Sequence, residues 1–134
     1  MTTRISFDLC LKIYKAEVKA GPLLFEDKLK GALNAPFQAF GAQEFYPSLL
    51  QKAAKLAYGI AEAQAFRDGN KRIAWLVTVI FLELNGVTLD VDQDEAAHVI
   101  RAIGTRDPIT DVKQLDEDGL VAWLASCAHS AHRP

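Results

Sequence analysis

Residues 64–86 read QAFRDGNKRIAWLVTVIFLELNG, and the fold turns on how this stretch is parsed. From Asn70 to Leu84 the residues are apolar almost all round a helical wheel, and Asn85-Gly86 supplies a left-handed cap. A helix hydrophobic on nearly every side belongs inside a globule, so this one, about residues 70–85, is expected to be the buried central helix. Its oily run, Ile73 to Leu82, is well short of the ~20 residues that cross a bilayer, so no membrane partner is expected. The residues before it, Phe66 to Gly69, make a tight loop.

Helical signals continue outward in both directions. Upstream, Pro47 suits the first position of a long third helix, whose Ala53, Ala57, Ile60 and Gln64 share one stripe. Leu49, Leu50 and Leu56 flank that stripe, and Glu62 faces water. Ser6 caps a first helix that turns Leu9, Ile13 and Val18 inward and stops at Gly21-Pro22. A short second helix runs from near Asp27 to before Pro36, and residues 37–46 are irregular or form a small flap. Downstream, Val87 to Val91 form a short extended piece. Asp92 and Glu95 then open a helix to about Ile103, and a last helix after Asp116 buries Leu120, Trp123 and Leu124. The expected product is one all-α domain, residues 1–134, bundled around the central helix.

Composition narrows the function classes. With 134 residues, 50% hydrophobic and 24% charged, the chain has enough apolar material for a core and is not a disordered type. A net charge of −2 lacks the basic excess of a protein held by phosphate backbones, which disfavours nucleic acid as the main partner. Cys10 and Cys127 belong to no C-x-x-C pair and suit a reducing compartment, with a single bridge left open. The opening MTTRISFDL lacks a signal-like apolar run, so a cytoplasmic protein is expected.

One local rule is broken. Helix starts gather acidic residues because the N-terminus carries about half a positive charge. Asp92, Asp94 and Glu95 obey, as do Asp116, Glu117 and Asp118, but the central helix opens Asn70-Lys71-Arg72. Such a conflict tends to mark a functional site. A bound anion resolves it: free N–H groups, the helix dipole, an ammonium and a guanidinium would converge on one phosphate. Gly69 would let the backbone approach the ligand, Asn70 would cap the helix or touch a phosphate oxygen, and Asp68 would hold Mg²⁺ between phosphates. Phe66 would pin the loop into the core, and Gln64 would face the same pocket. The plainer alternative is a surface pair of Asp68 with Arg72 or Lys71, an ordinary turn and cap at Gly69-Asn70, and a satisfied core glutamine.

Gln64 to Arg72 resembles the signature loop of the Fic/Doc family, whose pattern is H-x-F-x-[DE]-x-N-[GK]-R, and the flanking KAAKLAYGIAEA and IAWLVTVIFLELNGVTLDVD are similar to death-on-curing (Doc) type members. Lysine at position 71, rather than glycine, points to the Doc branch and away from AMP-transferring enzymes. The resemblance implies a toxin that moves the γ-phosphate of ATP to a threonine of elongation factor Tu and is neutralised by a Phd-like antitoxin. It also implies that Asp68 holds Mg²⁺, that Asn70 and Lys71 contact phosphates, that Arg72 clamps phosphate oxygens and that Phe66 is structural. A target-aligning flap would fall within residues 35–46. The family's inhibitory motif, Ser/Thr-x-x-x-Glu-Gly/Asn, does not occur in the sequence.

The family's general-base histidine corresponds to Gln64. A carboxamide does not titrate near neutral pH, although it can orient a hydroxyl. Losing general-base help costs ~10²–10⁴ in rate, so the resemblance implies an attenuated or inactive enzyme, or a catalytically dead module binding nucleotide or antitoxin. His98 is expected in solvent, His129 and His132 in a fraying tail with only a weak metal spacing, and Trp75 and Trp123 in the core.

Overall fold

Ser6 opens helix α1 (Phe7–Ile13) by accepting a hydrogen bond from the Leu9 N–H at 3.0 Å. In this computed structural model, which describes residues 1–110 and 113–130, the helix winds on through a wider π turn, Tyr14–Val18. It stops at Lys19, left-handed at φ 54°, two residues before the Gly21-Pro22 pair expected to end it. Helix α2 (Glu26–Asn34) starts on two acids and runs into a 3-10 turn at Ala35–Phe37. A hairpin of β1 (Ala39–Phe40) and β2 (Gln43–Glu44) follows, which is the expected small flap.

Helix α3 (Leu49–Ala63) is capped by Ser48, and Pro47 lies outside it, contrary to the sequence expectation. Ser48 Oγ accepts from the Gln51 N–H at 3.1 Å while the Gln51 side chain accepts from the Ser48 N–H at 3.0 Å. That reciprocal box satisfies two donors, which a proline at the first position cannot match. Helix α4 (Asn70–Leu84) ends where Gly86 turns left-handed, at φ 86°. Beyond it lie β3 (Val87–Leu89), α5 (Gln93–Ala102), α6 (Glu117–Cys127) and β4 (Ala128–Ser130), and β4 pairs antiparallel with β3. The fold is mostly helical, with two small two-stranded sheets among the described residues.

Helices α3 and α4 form the central pair, with α2 and α6 packed against α3. Ile73, Ala74, Val77, Thr78, Phe81 and Leu82 of α4 are buried, but Trp75, Leu76, Val79 and Ile80 are half-covered. Helix α4 is thus less enclosed than its composition predicts, and α3 shares the centre. Trp75 and Trp123 sit half-buried against each other, ring centroids 5.8 Å apart, instead of in the core. The Trp123 indole N–H donates to Glu95 at 2.8 Å, a need that holds the ring at the rim. Both cysteines are free and buried, and burial pushes the Cys10 thiol up to about 12. No helix of the described residues is long and apolar enough to cross a membrane.

Candidate phosphate site at the start of α4

The loop between α3 and α4 is strapped from below. Phe66, 3% exposed, lies flat on the Tyr14 ring with centroids 3.9 Å apart and planes at 7°. The Tyr14 hydroxyl donates to the Asp68 carbonyl at 2.9 Å. Pro22 O accepts from Arg67 N–H at 3.0 Å, and the N–H groups of Leu24 and Phe25 both donate to Ala65 O. Tyr14 lies one regular turn after buried Cys10 on the inward face of α1, and nothing local in the sequence ties it to a loop 54 residues on.

Gly69 is the N-cap of α4 at φ 78°, a conformation that favours glycine. A Cβ there would stand 2.5 Å from Val18 Cγ1 and 3.3 Å from Ala20 Cβ. The close approach that requires glycine is therefore to the end of α1, not only to a ligand. Asn70 does not cap the helix as expected. Its Oδ1 accepts from Phe66 N–H at 3.0 Å and its Nδ2 donates to Phe66 O at 2.9 Å, so the amide clamps the loop instead. Both polar ends of that side chain are spent on the backbone.

Lys71 has partners that the sequence did not show. Its Nζ donates to Arg101 O and to Thr105 Oγ1, each at 2.9 Å, and so lies against the C-terminal end of α5. A cation is favoured there, which offsets its cost at the positive end of α4. Arg72 is different. It is exposed and makes no hydrogen bond or ion pair among the described residues, and neither residue pairs with Asp68. The surface-pair alternative is thus not formed. Asp68 is exposed, and its Oδ1 accepts the Gly69 N–H at 2.7 Å, leaving the second oxygen open.

Gln64 does not continue the α3 stripe. It is the residue after the helix, left-handed at φ 51° and exposed, so it is no core glutamine. The flap does not sit beside the loop. Lys52, 3% exposed, donates to Tyr46 O and pairs with Glu44 at 2.8 Å, fixing the hairpin near the first turns of α3. Fifteen residues of α3 span about 22 Å, so the hairpin and Gln64 stand at opposite ends. Pro22 to Phe25 occupy the place beside the loop, with Leu24 and Phe25 half-exposed. His98 is exposed as expected; His129 lies in β4, 3.6 Å from Asp90, and His132 is outside the described residues.

The donor set suits a phosphate. The N–H groups of Asn70, Lys71 and Arg72 make no backbone hydrogen bond, and no side chain caps them. A single open carboxylate, Asp68, with phosphate oxygens as the other ligands, fits Mg²⁺, which rarely takes an all-protein cage. No cluster of three or more His, Cys, Asp or Glu capable of holding a metal occurs among the described residues.

The model of the Fic/DOC family matches residues 5–82, which carry α1 through most of α4 and the whole loop. The chain belongs to the Fic/Doc family. It is 37% identical over 122 residues to Toxin Doc of Mycolicibacterium smegmatis (strain ATCC 700084 / mc(2)155), covering 84% of this chain and 88% of that protein. That likeness, with the family match, supports a toxin of a toxin–antitoxin module.

Proposed function

We propose that this Doc-type protein binds ATP with Mg²⁺ at the start of α4 and transfers the γ-phosphate to a hydroxyl of elongation factor Tu, halting translation until a Phd-like antitoxin binds it. One observation carries this reading. Among the six described helices, α4 alone has neither a side-chain cap nor an acid in its first turn, and it presents an unpaired Arg72 there. A ligand that is itself an anion fills that gap.

The roles follow from the side chains. Arg72 binds phosphate oxygens and, with the free N–H groups, stabilises charge on the transferring group. Asp68 would hold Mg²⁺, which when bound neutralises phosphate charge. Asn70 acts indirectly, by fixing the loop through Phe66. Gln64 offers a carbonyl oxygen that can accept from the acceptor hydroxyl and orient it, but it takes no proton. Turnover in this form therefore falls ~10²–10⁴ below that of a histidine-bearing one.

The test is transfer of label from γ-labelled ATP to elongation factor Tu by the wild-type chain and by Gln64→His. Strong labelling with Gln64→His and weak labelling with wild type is the expected result. If the histidine variant is inert, the kinase reading fails; label from α-labelled ATP alone would mean AMP transfer. Gln64 itself favours a second reading, a catalytically dead module that binds nucleotide or antitoxin, which calorimetric binding without product on long incubation would establish.

A further inference from the structure

Lys71 is held by two acceptors at the far end of a different helix. Arg101 O is a terminal carbonyl of α5, and Thr105 Oγ1, which accepts from Lys71, itself donates to Arg101 O. Thr105 is fixed in turn. Its N–H donates to Ala102 O at 3.2 Å, its carbonyl accepts from Gln114 N–H at 2.7 Å, and Gly104 before it is left-handed at φ 75°. An ammonium has three protons. Arg101 O and Thr105 Oγ1 take two, so one remains for a third acceptor.

Lys71 is partly exposed and stands in the first turn of α4, where the backbone N–H groups are left free, so its third proton is open to a ligand there. We propose that Thr105 is a positioning residue, holding the Lys71 ammonium between the negative end of α5 and a phosphate bound at the positive end of α4. This rests on the phosphate site of the preceding section. A lysine free to rotate would lose several torsions on meeting its ligand; one already held by two acceptors loses less. Thr105 touches no phosphate and acts through Lys71 alone.

The experiment combines two readouts on the full chain. Acylation of Lys71 by acetic anhydride, quantified by mass spectrometry without nucleotide, reports whether the ammonium is held. Calorimetry with Mg²⁺-ATP and with inorganic tripolyphosphate reports whether the holding matters. Thr105→Val should expose Lys71 to faster acylation and weaken both ligands by a similar factor, roughly three- to tenfold. Thr105→Ser, which keeps the hydroxyl, should restore both. On a Lys71→Met background, Thr105→Val should add nothing, because the residue through which it acts is gone. Unchanged acylation, unchanged affinity, or a Thr105→Val loss that persists in full on Lys71→Met would each overturn the proposal. A wild-type chain that binds neither ligand would instead sink the phosphate site, while the acylation rates still report on the tether.

Discussion

The starts of α4 and α6 face the same electrostatic problem in opposite ways. At α6, the Asp116 carboxylate accepts from Gly119 N–H at 2.7 Å, and Glu117 and Asp118 follow in the first turn. At α4, Gly69 has no side chain to offer, and Lys71 and Arg72 follow. A cap contributes about 1 kcal/mol and each first-turn acid ~0.3–1 kcal/mol, so α6 collects what α4 forgoes. The two cations of α4 then divide. Lys71 finds its compensation within the fold, at the end of α5, whereas Arg72 finds none among the described residues. Of the two cations that make the anomaly, one is already tethered within the fold and the other is held by nothing among the described residues.

Substitutions can break this contrast. The largest effect is expected at Gly69. Gly69→Ala combines left-handed backbone with a 2.5 Å approach to Val18, and urea melts should show a loss of about 3 kcal/mol. Gly86→Ala, equally left-handed but with nothing within 4 Å, should lose only about 1 kcal/mol. Next comes Asn70→Ala, which strips partners from the Phe66 N–H and carbonyl and should cost about 2 kcal/mol, against about 1 kcal/mol for the lost cap in Asp116→Ala. Equal losses for those two would mean that Asn70 acts as a plain cap. A smaller effect is expected at Lys71. The charge rule by itself predicts that Lys71→Met raises the melting temperature; the bonds to Arg101 and Thr105 predict a fall worth about 1 kcal/mol. A rise would show that the tether contributes nothing in solution.

Much of the fold was legible because its signals are local. Ser6, Asp92 and Asp116 cap the helices they precede, and Asn85-Gly86 ends the central one, since caps and left-handed glycines act within a few residues. What was not legible depends on chain that is distant in sequence. Lys71 meets Thr105 across 34 positions, and Tyr14 meets Asp68 across 54. Tyr14 keeps the helical period from Cys10, but a wheel does not say which loop its hydroxyl meets. Gln64 looked like the end of a buried stripe because the wheel carries on past the point where the backbone turns left-handed. The small flap was legible as an element, but its place at the start of α3 was not, because sequence order does not show the pair of Lys52 with Glu44 that fixes it there.

Arg72→Glu tests the central claim most directly, since it gives α4 the acidic first turn that α6 already has. Melting and Mg²⁺-ATP calorimetry on the same preparation should show the ligand-free protein gaining ~0.3–1 kcal/mol while nucleotide binding disappears. A variant that melts lower than wild type, or that still binds ATP with wild-type affinity, would contradict the account.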